Sequence, residues 1–218
     1  MERVKPEKMP SFQIENRILI IKIPSWLIWL GPIDKKLINF CEENKEDYDS
    51  ILIDVRENHG GNSVYALNFA GIFFNKTLYY GHILKKNQKT GRLNKKALKV
   101  RPHKKILSDK PIAILISGKC FSSNEHFLVP FKVSKRATLI GGKTMSGSAN
   151  PISDVIELAG NKFTIRIPTW RFFLLGEESP IERTKIKPDI VYNGKDIEEF
   201  AKNYLLNHTY ENNRTIKK

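Results

Sequence analysis

Short runs of apolar residues recur along the chain, and turns or helical patterns separate them. Four of these runs are rich in β-branched residues and have the length of buried strands. They are RILIIKIPSW from residue 17, SILIDV from residue 50, KPIAILIS from residue 110 and RATLIGG from residue 136. The stretch VIELAGNKFTIRIPTW, from residue 155, predicts a hairpin with AGN as its turn. IKPDIVY, from residue 186, predicts a last short strand.

Helical patterns fill most of the intervals between these strands. Ile33, Leu37, Ile38 and Cys41 have the spacing of one helix face. Further helices are predicted in NSVYALNFAGIFF from residue 62, in SSNEHFLVPFKV from residue 122 and in KDIEEFAKNYLLN from residue 195. We expect Pro130 to interrupt the second of these. Strands that alternate with helices indicate an α/β fold whose mostly parallel sheet is flanked by helices.

Three loops rich in small or polar residues follow the predicted strands. They are RENHGGNS from residue 56, GKCFSSNE from residue 118 and GGKTMSGSANP from residue 141. In open α/β sheets, binding sites form where the carboxyl ends of the strands meet. We therefore expect these loops to form one site.

Length and composition favour one large domain. The chain has 218 residues, of which 40% are hydrophobic, enough for one sizeable core. We expect an N-terminal extension over residues 1–17, a core domain over 18–206 and a flexible tail over 207–218. Cys41 and Cys120 have no metal-like spacing and predict neither a disulfide nor a zinc site. The sequence shows no signal peptide and no membrane span, so a cytoplasmic protein is the default expectation.

The positive charge of the chain widens the range of partners. Lys and Arg number 37 against 23 Asp and Glu, a net charge of +14. Such an excess suits nucleic acid, an anionic membrane surface, or a lysine-rich composition without such a partner. The densest cluster, residues 85–105, lacks aromatic residues for base stacking and predicts a solvated basic loop. We therefore do not expect a nucleic-acid partner, and an anion- or nucleic-acid-binding protein is kept as a third hypothesis, which predicts a steep salt dependence of binding.

Ser122 and Ser123 stand at the predicted turn from a buried strand into a helix. A hydroxyl there is partly exposed and lies beside the positive end of the helix dipole. The Ser123 amide and the amides of the Gly60-Gly61 turn could hold an oxyanion. The alternative is that one serine caps the helix, with Glu125 in its first turn. The residues alone leave both interpretations open.

Four segments, in this order, resemble the C-terminal processing, or tail-specific, serine peptidases. ILIDVRENHGG, from residue 51, matches the family's Asp-x-Arg-x-Asn-x-Gly-Gly pattern, and KPIAILISGKCFSSNEHF, from residue 110, has the Ser three residues before a Glu. RATLIGGKT, from residue 136, and IERTKIKPDI, from residue 181, match the patterns Arg-Ala-x-x-x-Gly and Pro-Asp-Ile. The resemblance spans residues 18 to 192.

This resemblance implies an α/β core of the crotonase-like, or ClpP-like, kind and the hydrolysis of peptide bonds. It implies Ser122 as the nucleophile, with Gly60 or Gly61 and Ser123 as oxyanion donors. The substrate would be a peptide or protein, and no metal or other cofactor is required.

The chain departs from the family pattern at the catalytic base. Many members carry a Lys three residues after a Thr, and Gly147 stands there in TMSGS. The pattern is closer to the tricorn-protease branch, which lacks this Lys and uses a His and a Glu. Glu182 matches that Glu and would orient a base or a water. The His of that branch comes from a segment ahead of a PDZ domain, and we expect neither in this chain.

His59, in the glycine turn, is the first candidate for a base within the chain. The alternative for His59 is an exposed loop residue without a catalytic role. Trp170, in IPTWRFFLLG, is predicted to line a groove for an extended peptide.

The leading hypothesis is a serine endopeptidase that forms an acyl-enzyme on Ser122. One alternative is a protease-like domain that binds extended peptides without cleaving them. Another is a fragment that needs an N-terminal His. The sequence does not predict the oligomeric state.

Overall fold

A computed structural model describes residues 9–27, 33–87, 89–104, 110–147, 154–158, 160, 163–167 and 169–215. The strands are β1 (Ser11–Glu15), β2 (Ile18–Lys22), β3 (Ser50–Asp54), β4 (Leu78–Lys86), β5 (Leu93–Val100), β6 (Ile112–Ile116), β7 (Thr138–Gly141), β8 (Asp154–Leu158), β9 (Phe163–Ile167), β10 (Trp170–Leu174) and β11 (Ile190–Val191). The helices are α1 (Ile33–Glu43), α2 (Ser63–Ala70), α3 (Ser123–Ser134), α4 (Ile181–Thr184) and α5 (Ile197–Thr215), and a 3-10 turn (Gly71–Phe73) follows α2.

The largest sheet has six strands in the order β1-β2-β3-β6-β7-β11. β1 runs antiparallel to β2, and every other neighbouring pair is parallel. Side chains that alternate along the strands bury both faces of the sheet. Ile18, Ile20 and Leu52 pack on α5, and Leu19, Ile51 and their neighbours pack on α1, α2 and α3. The prediction of an α/β fold with a mostly parallel, helix-flanked sheet is confirmed.

A second sheet, in the order β10-β4-β5, is antiparallel throughout. Its inner face packs on α3, where the ring of Phe172 lies parallel to that of His126 with 4.7 Å between centroids. β8 and β9 form the predicted hairpin. The prediction of a solvated loop over residues 85–105 is wrong for β5. Lys is a weak strand former, but pairing with β4 supplies the hydrogen bonds that hold β5.

Three other elements differ from the sequence pattern. α3 continues through Pro130, because its residues 123–131 are buried and packing outweighs the one hydrogen bond that a proline removes. α5 runs to Thr215, beyond the predicted core boundary at residue 206, through residues that include neither Gly nor Pro. β1, inside the predicted extension, is an edge strand paired with β2.

The three loops that follow β3, β6 and β7 meet at one edge of the main sheet. The Ser117 hydroxyl donates to the Arg56 carbonyl (2.6 Å). The Phe121 amide donates to the Asn58 carbonyl (3.3 Å), and the Met145 amide donates to the Cys120 carbonyl (2.9 Å). These bonds join the first loop to the second and the second to the third, as the parallel order of the strands predicts.

An ion network closes the same edge. Arg56 donates to both carboxylate oxygens of Asp54, at 2.9 and 2.6 Å. Glu198, in the first turn of α5, accepts a hydrogen bond from Lys22 (2.9 Å) and lies 3.7 Å from Arg56. The C-terminal helix is therefore tied to the ends of β2 and β3.

Candidate active site

Ser122 is the last residue before α3 and has an unusual backbone. Its φ and ψ are 58° and −125°, a region that costs a residue with a side chain about 1–3 kcal/mol. A serine on a sharp, strained turn from a strand into a helix exposes its hydroxyl, as in nucleophile elbows. Within the described part of the chain, that hydroxyl makes no hydrogen bond. The side chain is therefore not used as a helix cap.

The Ser123 hydroxyl does not cap the helix either. It donates to the Gly61 carbonyl at 2.7 Å. Glu125, the expected first-turn residue, turns its carboxylate away from the helix end toward the third loop. The capping interpretation of this segment is therefore not supported for either serine.

The glycine turn lies directly against Ser122. A Cβ placed on Gly60 would lie 2.7 Å from the Ser122 Cβ and 2.9 Å from the Ser123 nitrogen. The φ angles of Gly60 and Gly61 are 98° and 140°. Because side chains are excluded both by contact and by backbone conformation, only glycine fits this approach.

Asn58 holds the glycine turn, a role that its place in the sequence pattern did not reveal. Its side chain is fully buried; Oδ1 accepts from the Gly60 amide (2.8 Å), and Nδ2 donates to the Ile23 carbonyl (3.0 Å). A buried polar residue with several backbone partners fixes a loop.

Among the predicted oxyanion donors, the Gly60 amide is engaged by Asn58. The amides of Gly61 and Ser123 donate no hydrogen bond within the described residues. The two predicted donors whose amides are not already engaged therefore belong to Gly61 and Ser123.

Glu125 is fully buried three residues after Ser122. One carboxylate oxygen accepts from the Thr144 hydroxyl (2.5 Å), and the other accepts from the Gly147 amide (2.9 Å). Burial raises the pKa of Glu125, and these hydrogen bonds oppose the rise. The Thr144 oxygen also accepts from the Ile186 amide (3.0 Å). Glu125 thus anchors the third loop to α3.

Gly147 has no room for a side chain. A Cβ built on it would overlap the ring of Phe121, the residue just before Ser122. The Phe121 ring therefore fills the space in which a side chain at position 147 would begin.

Glu182 and Trp170 line one cleft. Glu182, exposed in α4, accepts a hydrogen bond at its carbonyl from the Ser146 hydroxyl (2.8 Å). Its charge contributes to the raised pKa of Glu125. Trp170 is half-buried at the start of β10, and both residues line a cleft of about 680 Å³. Ser122 is not among the residues that line this cleft.

The histidines are spread over the structure. His59 is exposed in the glycine turn, and no hydrogen bond joins it to Ser122 in the described part of the chain. His126 is buried, and its Nδ1 lies 3.2 Å from the Tyr80 hydroxyl. Burial lowers the pKa of His126 to about 4. His126 is therefore a neutral core residue.

The described residues include no group of three or more His, Cys, Asp or Glu side chains that could hold a metal ion. None of the helices in this part of the chain has the length and apolar character needed to cross a membrane.

Comparisons with known proteins agree with this fold. The model of peptidase family S41 matches residues 17–192. A candidate peptidase from Parabacteroides merdae superposes with a TM-score of 0.72 at 18% identity, covering 87% of this chain and 60% of that chain. A lipoprotein from Streptococcus agalactiae gives a TM-score of 0.68 at 24% identity, covering 91% of this chain and 70% of that chain.

The photosystem II D1 C-terminal processing protease gives a TM-score of 0.60 at 18% identity, with 81% of this chain and 42% of that chain covered. The chain thus spans less than two thirds of the Parabacteroides and D1 proteins. No curated protein matches.

Proposed function

Because the chain belongs to peptidase family S41, we propose that it hydrolyses peptide bonds through an acyl-enzyme on Ser122. The observation that carries this proposal is the strained backbone of Ser122 beside Gly60. That conformation has a cost in stability, and such strain is typical of functional residues. A hydroxyl used only for solvation or capping would not require it.

The chemistry follows the usual order for a serine peptidase. The Ser122 Oγ attacks the carbonyl carbon of the scissile bond while a base accepts the hydroxyl proton. The oxyanion accepts hydrogen bonds from the Gly61 and Ser123 amides, each worth about 3–4 kcal/mol in kcat. The C–N bond then breaks, the proton passes to the leaving amine, and water hydrolyses the ester.

We propose His59 as the base within this chain, because it stands between Asn58 and Gly60 in the turn that contacts Ser122. Glu182 would orient that base or a water. The described residues contain no His59–Ser122 hydrogen bond, and catalytic hydrogen bonds often tighten only when substrate binds.

A fluorophosphonate probe tests the nucleophile. We expect labelling of the wild type from mildly acidic to mildly alkaline pH, and none of Ser122→Ala. His59→Ala should lose labelling, whereas His208→Ala, in an exposed part of α5, should keep it. Circular dichroism checks that each variant is folded. A folded wild type that is never labelled would contradict an activated Ser122.

A second candidate function is peptide binding without cleavage. Phe121 packed against Gly147, in place of a Lys base, favours it. In that case an unlabelled but folded protein would retain peptides intact, and mass spectrometry would recover them uncut.

A further inference from the structure

The cleft that contains Trp170 and Glu182 has two unlike walls. One wall is the outer face and end of the β10-β4-β5 sheet, where Leu84, Leu93 and Phe173 supply apolar surface. The other wall is the segment 178–183. A cleft with an apolar floor and polar rims suits an extended chain with an apolar side chain at its centre.

Cations line this cleft without carboxylate partners. Lys86, Arg171 and Arg183 all line it, and none of them forms an ion pair in the described part of the chain. Elsewhere, cations such as Arg17 and Lys202 lie within 2.8 Å of a carboxylate. The positive charge of the cleft is therefore available to a ligand.

The strand register extends this positive surface along the sheet. Leu84 lies opposite both Lys95 and Arg171, and Lys86 lies opposite Leu93. Residues directly opposite in a sheet point to the same face, so Lys95 shares the cleft face. From residue 78 to residue 100 the sequence has no Asp or Glu. Its basic residues are Lys85, Lys86, Lys89, Arg92, Lys95, Lys96 and Lys99.

Carboxylates are confined to the other wall. Glu178 and Glu182 stand on the segment 178–183, across from the basic sheet. A ligand that lies along the sheet therefore meets positive charge on that side. The sheet wall contributes cations and no carboxylate, and Arg183 adds one cation to the other wall, so acidic groups of a ligand are favoured beside β4, β10 and Arg183.

The edge of the sheet supplies backbone recognition. β10 is the end strand of its sheet, and no described strand pairs with its other edge. A free strand edge binds extended peptides through main-chain hydrogen bonds that do not depend on sequence. This feature favours a peptide over a nucleic acid as the ligand of the cleft.

We propose that this cleft selects extended peptide segments in which Asp or Glu residues flank an apolar side chain. The inference rests on the proposed peptidase function and adds its substrate class. The apolar side chain packs on Leu84 and Phe173. The flanking carboxylates pair with Lys86 and Arg171 on the sheet and with Arg183, the cation of the opposite segment.

Binding to the uncleaving Ser122→Ala protein tests the proposal separately from catalysis. The probe is a short fluorescein-labelled peptide with blocked ends, containing a central Leu between Glu residues in a Ser/Gly chain. Its matched control has Gln for every Glu. We expect the Glu peptide to bind roughly tenfold more tightly or better, since several charge pairs add their small contributions.

Charge reversal identifies the site. Arg171→Glu/Arg183→Glu, in the Ser122→Ala background, should remove this preference. Lys36→Glu/Lys76→Glu, with the same change in net charge, should retain it. Neither residue lines the cleft. Lys36 is exposed on α1, and Lys76 precedes β4, at the end of that strand away from the cleft.

Three outcomes would overturn the inference: equal affinities for the Glu and Gln peptides, an equal loss of the Glu preference in the two double variants, or no binding of either peptide. Tighter binding of a single-stranded RNA that the cleft variants abolish would assign the cleft to nucleic acid instead. Fluorophosphonate labelling reports the serine independently. Charge-selective peptide binding by a protein that is not labelled would therefore support the proposed selectivity of the cleft and contradict the proposed peptidase activity.

Discussion

The Glu125 carboxylate accepts the amide hydrogen of Gly147 across 2.9 Å. This bond joins the first turn of α3 to the loop that follows β7. Because α3 begins directly after Ser122, the same buried carboxylate fixes the orientation of the helix behind the serine. A residue that sequence reasoning considered for helix capping is thus the anchor of the third loop.

Removing this anchor should destabilise the protein. Glu125→Ala leaves the Thr144 hydroxyl and the Gly147 amide without their buried acceptor, which we expect to cost about 2–4 kcal/mol in the free energy of unfolding. Glu125→Gln keeps one acceptor and should cost about 1 kcal/mol. Urea unfolding measures both, with exposed Glu178→Ala as the control. An unfolding free energy unchanged by Glu125→Ala would exclude the anchoring role.

The same carboxylate should make stability depend on pH. Burial raises the pKa of Glu125 in the folded state above its ordinary value of 4.5. Between the two values the folded protein holds a proton that the unfolded chain has released, so stability falls as pH rises through that window. Glu125→Gln removes this contribution. The free energy of unfolding of the wild type should therefore fall relative to that of Glu125→Gln as pH rises. Urea unfolding at each pH measures this difference.

Relief of the strain at Ser122 should stabilise the chain. Glycine adopts a φ of 58° without the penalty of a Cβ. We expect Ser122→Gly to be about 1 kcal/mol more stable than Ser122→Ala, with both unlabelled by fluorophosphonate. Thermal unfolding compares them. Equal stabilities would show that this backbone conformation carries no strain.

Because Phe121 contacts Gly147, substitutions at these two positions should have non-additive effects on the free energy of unfolding. Gly147→Ala forces the new methyl against the Phe121 ring and should cost about 1–3 kcal/mol. In a Phe121→Ala background the same substitution should cost clearly less. A double-mutant cycle by urea unfolding gives the coupling energy. Additive effects would mean that the ring does not fill the space beside Gly147.

Burial of His126 should make the protein sensitive to acid. Its pKa is lowered from 6.5 to about 4, so the unfolded chain binds a proton in this range and the folded protein does not. The contribution of neutral His126 to the free energy of unfolding is fully present above pH 6.5 and should fall by up to about 3 kcal/mol toward pH 4. We expect His126→Leu to lose that part of the pH dependence and exposed His208→Leu to keep it. Identical acid profiles for all three proteins would refute the assignment.

The sequence predicted the parallel sheet because its strands are continuous apolar runs buried on both faces. It also indicated the approach of the glycine turn to the serine loop, since both follow neighbouring strands. β5 escaped prediction, because three lysines in eight residues hide a strand that is held by hydrogen bonds to its neighbour's backbone. The continuity of α3 through Pro130 depends on tertiary packing, which the local sequence pattern does not predict.

Within the site, the sequence resemblance implied Ser122 as the nucleophile, which stays a prediction, and did not indicate the hydrogen bonds of the residues around it. The Asn58 and Glu125 side chains bind backbone amides that lie close only after folding. The overlap of a side chain at 147 with Phe121 likewise joins residues far apart in the chain. The distribution of charge in the cleft depends on strand register, which is fixed by pairing.

The ion network at the sheet edge has a consequence for the order of synthesis. Lys22 and Arg56 come from early strands, whereas Glu198, which faces both, comes from the helix α5. A nascent chain that has emerged only as far as α4 has both cations without this carboxylate. The ionic contacts at this edge of the sheet are therefore complete only after α5 has left the ribosome.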